Sequence, residues 1–195
     1  MNVATIRAFI AIELSPGILK QIGALQERWK REFPSGLVRW VRPEGIHLTL
    51  KFLGDIPPEQ VKAISLAVQA DCASYAPFPL AVGGTGCFPN PHRPRVIWVG
   101  VDDPNRTLAR LQRDIEQAVQ PLGFPPEGRP FRPHLTLGRV KGRDRGAIQT
   151  LGETVSKATF TAGQMDATAV HLIRSELLPG GAVYTELANA PLAAA

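Results

Sequence analysis

The tetrapeptide His47-Leu48-Thr49-Leu50 occurs twice, returning as His134-Leu135-Thr136-Leu137. The chain has only four histidines, and at ordinary residue frequencies such a repeat arises by chance in roughly 1 chain in 300. In a strand, residues i and i+2 point to the same side. Each copy therefore presents an imidazole and a hydroxyl on one face and anchors two leucines on the other. Each copy also takes the same place in its half of the chain, on a strand that follows the first helix. Two such strands, related by an approximate two-fold, bring two imidazoles and two hydroxyls around one cleft.

The surrounding sequence supports that halving. Thr5–Leu14 alternates with the period of a half-buried strand, Ile6, Ala8, Ile10, Ile12 and Leu14 on one face and Arg7, Phe9, Ala11 and Glu13 on the other. Ser15-Pro16 reads as an N-cap with proline in the first turn. Ile18, Leu19, Ile22, Leu25, Trp29 and Phe33 then recur at helical spacing, and Pro34-Ser35-Gly36 stops the run. Short strands are expected at Leu37–Arg42 and Ile46–Leu53, with a turn at Gly54-Asp55. A helix opened by Pro57-Pro58 carries Val61, Ile64, Ala67 and Val68, and a strand follows over Phe78–Phe88. The second half predicts a strand at Val96–Val101 and a helix from Asp103-Pro104 with Leu108, Leu111, Ile115, Val119 and Leu122 on one stripe. It continues with a loop over Pro121–Pro133, a strand at His134–Val140, a short helix at Asp144–Val155 and a strand at Ala158–Thr161. Asp166–Leu177 and Ala182–Leu187 read as a closing hairpin through Pro179-Gly180-Gly181. The expectation is one bilobal domain over residues 1–190, with a frayed tail over 191–195.

Composition narrows the function. A chain of 195 residues, 44% hydrophobic and 20% charged, is an ordinary globular sequence. No apolar run approaches the roughly 20 residues of a membrane helix, and the first residues lack the pattern of an export signal; a cytoplasmic, non-membrane protein is expected. Two cysteines, Cys72 and Cys87, are too few for a disulfide framework or a four-cysteine zinc site. His-Glu-x-x-His and Gly-x-Ser-x-Gly are both absent from the sequence, which disfavours a zincin or a serine hydrolase. Val82-Gly83-Gly84-Thr85-Gly86 lacks the Gly-Lys-Ser/Thr ending of a phosphate loop and reads as a bulge or turn. The net charge of +5 favours a phosphorylated or polyanionic ligand.

Two imidazoles on opposite sides of a phosphorus suit in-line displacement. A neutral ring takes a proton from water while an imidazolium gives one to the leaving oxygen, each transfer being worth typically about 10²–10⁴-fold. Threonine hydroxyls donate to the non-bridging oxygens as charge grows there. This chemistry calls for no metal and no cofactor. His92, in a proline-rich loop, and His171, alternating within a strand, are left without a role.

In these motifs the chain resembles the 2H phosphoesterase superfamily, and more narrowly the bacterial and archaeal RNA 2′,3′-cyclic phosphodiesterases, the LigT or ThpR family. Further matching stretches are Arg7–Ile12, Val41–Gly54, Pro94–Gly100, Phe131–Arg139, Arg174–Leu177 and Gly181–Tyr184. The resemblance implies an α+β fold of two pseudo-symmetric lobes, each an antiparallel sheet with flanking helices, around a central cleft. It implies hydrolysis of a 2′,3′-cyclic phosphate at an RNA end to a 2′-phosphomonoester, with His47 as acid for the 3′-oxygen and His134 as base for water. It further implies a weak, reversible 2′–5′ RNA ligase activity of the kind some relatives have. Thr49 and Thr136 match the phosphate-contacting hydroxyls. Arg132 shares strand parity with His134 and is a phosphate-binding candidate. Arg139 has the opposite parity but matches an arginine of the family motif. Phe9 is a candidate for base stacking, and Trp40 for packing. The partner is RNA with a cyclic-phosphate end, and the protein is expected to act as a monomer. Two alternatives stay open: a 2H enzyme for small nucleotides (2′–5′ oligoadenylate or ADP-ribose 1″,2″-cyclic phosphate), and a non-catalytic module that holds RNA ends.

Overall fold

The structure, a computed structural model, describes residues 4–179 and 181–193. Its elements run β1 (Ile6–Ile12), α1 (Pro16–Glu32), β2 (Val38–Trp40), a 3-10 turn (Pro43–Gly45), β3 (Leu48–Ile56), α2 (Gln60–Cys72) and β4 (Phe78–Phe88). They continue with β5 (Val96–Asp102), α3 (Thr107–Val119), β6 (His134–Val140), α4 (Arg145–Lys157), β7 (Thr161–Ala167), β8 (Ala169–Leu178) and β9 (Gly181–Pro191). Two antiparallel sheets result, a four-stranded one in the order β3-β1-β8-β9 and a five-stranded one in the order β2-β6-β5-β4-β7. Helices α2 and α3 pack on the first sheet, and α1 and α4 on the second. The α+β, two-lobed expectation holds.

The lobes are not the two halves of the chain. Strand β4, from the first half, pairs with β5 of the second, and β8, from the second half, pairs with β1 of the first. Each sheet thus keeps its own motif strand at or near one edge and takes strands from the other half, β8 and β9 in the first sheet and β2 and β4 in the second. The exchange ties the lobes together, and a single cluster of buried apolar side chains runs through both. The motif strands β3 and β6 also touch each other where the sheets meet.

Both motif strands carry a bulge at the same residue. In β3, Thr49 pairs with Ala11 and Lys51 with Ile10, so Leu50 is the extra residue. In β6, Thr136 pairs with Trp98 and Gly138 with Ile97, so Leu137 is the extra residue. A bulged residue leaves the ladder and frees its backbone groups. Two buried glutamines accommodate this. Gln112 Nε2, on α3, donates to the Leu50 carbonyl at 3.3 Å. Gln26 Nε2, on α1, donates to the Leu137 carbonyl at 2.9 Å and to the Val41 carbonyl at 2.8 Å. Past each bulge the strand's parity is inverted. Lys51 therefore points under the sheet, where its Nζ meets Glu116 Oε1 at 2.9 Å and the Pro125 carbonyl at 2.6 Å.

Several local expectations hold. Ser15 Oγ accepts from the Ile18 N–H, capping α1, and the short helix expected from Asp144 is α4, where the structure adds a cap, Asp144 Oδ1 accepting from the Gly146 and Ala147 N–H groups. The Gly83–Gly86 stretch is a bulge within β4, with Gly84 at φ 66°. Trp40 packs, its ring stacked 6.4 Å from that of Trp29. Cys72 and Cys87 are free and buried, which pushes their thiols up to about 12 and about 11.

Other expectations are corrected. Strand β1 is buried on both faces, because it is an inner strand with helices below and the cleft face above. Gly54-Asp55 is not a turn; β3 runs on to Ile56, with Gly54 at φ 73° absorbing a second irregularity. Helix α3 starts at Thr107, because residues 103–106 turn first and Asp103 Oδ2 accepts from the Leu108 N–H at 2.8 Å. The strand expected at Ala158–Thr161 is instead β7, Thr161–Ala167, paired along β4. The frayed tail is corrected for residues 191–193. Pro191 ends β9, and Leu192 is buried with its N–H donating to the Thr168 carbonyl at 2.9 Å. Gly180 of the expected hairpin, and residues 194–195 of the tail, lie outside the described residues. No helix among the described residues is long and apolar enough to cross a membrane.

If the glutamines hold the bulges, Gln26→Leu and Gln112→Leu should each cost about 1–3 kcal/mol, the range for losing a buried hydrogen-bond donor. Urea unfolding measures this directly. Losses below about 0.5 kcal/mol, the scale of a neutral surface change, would show that the bulges stand without them.

Candidate active site

The cleft face of the first sheet is built on Phe9, Ala11 and Ile173, which form a small buried cluster of their own, capped by Tyr184. His47 lies one residue before β3 and joins this group. Its ring stacks on Phe9, with centroids 4.4 Å apart and planes at 24°. The Tyr184 ring meets it edge-on at 5.0 Å and 80°. Burial among these rings pushes the His47 pKa down from 6.5 to about 4, partly opposed by a hydrogen bond to the Gly45 backbone. That bond favours the protonated ring, so the ring donates and the Gly45 carbonyl accepts. Unliganded His47 is therefore neutral at pH 7.

On the second sheet, His134 begins β6. Its Nδ1 lies 2.7 Å from the Arg132 carbonyl. A carbonyl only accepts, so Nδ1 carries the proton in the neutral ring and Nε2 is left as the free lone pair. Phe88 meets the His134 ring edge-on at 4.9 Å, and Trp98 lies 5.3 Å from Phe88. Both histidines are thus braced by an aromatic ring and by the carbonyl of the residue two positions earlier. A Cβ at Gly86 would lie 2.2 Å from the Trp98 ring, so the absence of a side chain there lets the indole lie flat on the sheet.

Thr49 and Thr136 are half-buried, and neither hydroxyl hydrogen-bonds a described residue. They lie beside the ring cluster, Thr49 paired with Ala11 and Thr136 with Trp98.

The bulges correct two of the sequence expectations. Arg139 pairs with Val96, while Thr136 pairs with Trp98 two residues along the same strand. Arg139 therefore shares the face of Thr136, and the opposite parity read from simple alternation is wrong because Leu137 is the inserted residue. Its charge acts on the Tyr184 hydroxyl, which belongs to the other sheet. Phe9 does not offer a face to a base. It is 2% exposed and covered by His47, because its strand lies inside the sheet. The exposed ring is Phe52, 55% accessible, which pairs with Phe9 across the strands and lies 5.9 Å from it. Phe52 and Arg139 occupy the same position, five residues past the histidine, in the two motifs. Arg132 is exposed, and what it gives His134 is its backbone carbonyl.

Tyr184, Phe52, Phe88 and Trp98 are the residues that sequence reasoning missed. Phe52, Trp98 and Tyr184 stand in stretches that matched the family resemblance, but only pairing across strands puts them at the histidines. His92 is exposed in its loop. His171 is buried, with Nδ1 2.6 Å from Glu186 Oε2.

Compared with known proteins, the chain matches the family described as LigT like Phosphoesterase over residues 12–98 and again over 99–184. It is similar to the RNA 2′,3′-cyclic phosphodiesterase of Methanothermobacter thermautotrophicus, 38% identical over 184 residues, covering 93% of this chain and 96% of that one. It is 33% identical to the enzyme of the same name from Aquifex aeolicus over 183 residues, covering 92% and 94%. Among solved structures, TT0787 of Thermus thermophilus superposes with a TM-score of 0.80 at 28% identity, covering 96% and 98%. Escherichia coli LigT, complexed with 3′-AMP, superposes with a TM-score of 0.75 at 28% identity, covering 97% and 99%.

The buried His47 carries a stability signature. The folded state keeps the ring neutral down to about pH 4, whereas the unfolded chain protonates it near 6.5. Between those values the unfolded state holds the extra proton, so His47 makes stability fall as pH drops. The span corresponds to on the order of 3 kcal/mol. Urea unfolding at pH 7 and pH 4 should show that His47→Gln loses less stability than wild type across this window. Parallel losses would mean that burial does not depress the ring.

Proposed function

Because the chain belongs to the LigT-like phosphoesterase family, we propose that it hydrolyses the 2′,3′-cyclic phosphate at an RNA end to a 2′-phosphomonoester, with His47 and His134 as its two proton carriers. The observation that supports this reading is that each of the two sheets carries one His-Leu-Thr motif strand, that strand alternation turns His and Thr to the same side in each, and that the two motif strands touch.

The reaction follows from the protonation states. His134, with Nδ1–H tied to the Arg132 carbonyl, takes a proton from water at Nε2. The water oxygen bonds to phosphorus as the bond from phosphorus to the 3′-oxygen breaks. His47 gives its proton to that oxygen, leaving a 3′-hydroxyl and a 2′-phosphate. Solvent exchange then resets both rings. Thr49, Thr136 and Arg139 hold the non-bridging oxygens. Arg132, one residue before the loop ends, is near enough in sequence to add charge at the rim. Phe52 takes the stacking role first expected of Phe9, because its ring is the open one. The same cleft run backwards gives a weak 2′–5′ ligase, with a ribose hydroxyl in place of water. The protein acts as a monomer in the cytoplasm.

For His47 to act as acid, the bound phosphodiester anion must lift its pKa from about 4. The same low value favours a second reading, in which neutral His47 is the base and His134 the acid. Proton uptake separates them. In His134→Ala, calorimetry of 2′,3′-cyclic AMP binding in two buffers at pH 7 should register close to one proton taken up. The ligand is a diester with no proton of its own to exchange there. No uptake would reverse the roles.

Turnover tests the function itself. On a 2′,3′-cyclic-phosphate oligonucleotide in EDTA, the product should be the 2′-phosphate, at the rate seen without chelator. His47→Ala and His134→Ala should each reduce kcat by about 10²–10⁴-fold while melting as cooperatively as wild type. A fully active single variant would overturn the two-histidine mechanism. Binding that persists in both variants, with no turnover even in wild type, would identify an RNA-end-binding module instead.

A further inference from the structure

Tyr184 is placed with more care than packing alone requires. Its ring is held from three sides. It meets His47 edge-on at 5.0 Å and Phe9 at 5.6 Å and 90°. It also lies against Gly45, where a Cβ would come within 2.9 Å of Tyr184 Cε2. Gly45 is the residue whose carbonyl holds His47, so the close approach needs glycine there.

Its hydroxyl is the unexplained part. The residue is half-buried, yet the hydroxyl hydrogen-bonds no described residue. Arg139, on the opposite sheet, acts on this hydroxyl across the cleft. Burial outweighs that charge and pushes the phenol above its usual value of 10.0, so at neutral pH it remains a donor. The hydroxyl is thus a donor on a ring that touches His47 and lies within reach of the Arg139 charge, a pairing of groups that suits an anion. A ring needed only as a wall for His47 would be equally well served by phenylalanine.

We propose that Tyr184 is a further catalytic residue, its hydroxyl donating to a non-bridging oxygen of the phosphate held between His47 and Arg139. This inference rests on the phosphodiesterase reading above. It adds a third hydroxyl to those of Thr49 and Thr136, and the only one contributed by β9.

Tyr184→Phe is the deciding variant, since it keeps the ring that braces His47. On a 2′,3′-cyclic-phosphate oligonucleotide, kcat/KM should fall about tenfold, the usual effect of losing one donor to a charged acceptor. The pH profile should not move, because the His47 environment is intact; Tyr184→Ala should shift it as well. Inorganic phosphate, titrated by calorimetry, should bind Tyr184→Phe several-fold more weakly than wild type. Wild-type phosphate affinity in Tyr184→Phe overturns the proposal, as does wild-type kcat/KM. A wild-type protein that binds phosphate through Tyr184 but does not turn over would sustain the contact and defeat the hydrolase reading instead.

Discussion

Everything at this cleft depends on one constraint, the strict alternation of a strand and its interruption by a single inserted leucine. Alternation puts His and Thr on one side and leucine on the other. Left uninterrupted, it would also put Lys51 in the cleft and keep Arg139 out of it. The extra residue, Leu50 in one strand and Leu137 in the other, inverts the parity beyond each motif. Lys51 then goes under the sheet to Glu116, while Phe52 and Arg139 turn towards the cleft. A bulge frees backbone carbonyls, and each bulge here has its own buried glutamine to occupy them. Those glutamines come from α1 and α3, so the helices do more than cover the sheets.

The two lobes are made alike and used differently. Each offers an imidazole braced by an aromatic edge and a carbonyl two residues back. At the position five residues past the histidine, however, one lobe has the apolar ring of Phe52 and the other the guanidinium of Arg139. A base wants a stacking surface and a phosphate wants a cation. The asymmetry of one pair of positions thus gives a symmetric scaffold two chemically different sides. Burial adds a second asymmetry, since the His47 ring sits among Phe9 and Tyr184 and loses its affinity for a proton. An overall charge of +5 matters less than these placements.

Much of this was legible without coordinates. The repeated His-Leu-Thr-Leu, the strand near the start of the chain and the serine cap of α1 are local signals, and all of them are realised. The elements that were misjudged fail for a common reason. Gly54-Asp55 reads as a turn because glycine with aspartate usually is one, but pairing with β1 carries the strand through it. Phe9 reads as exposed because alternation says which face a residue is on, not what covers that face. Leu192 reads as frayed because an alanine-rich end has no periodic pattern, yet Thr168 and the core hold it.

The sequence by itself determined the matched tetrapeptides, since an imidazole and a hydroxyl two residues apart share one face of a strand and the leucines share the other. Residue identity and short-range spacing are local properties, and they survive any arrangement of the chain. Only the tertiary structure decided the surroundings: which ring is open and which is buried, that Arg139 shares the face of Thr136, and that Tyr184 stands beside His47. Each of those turns on strand register and on the reciprocal exchange of β4 and β8. Register is set by pairing between residues far apart in the chain, and a single inserted residue reverses its outcome.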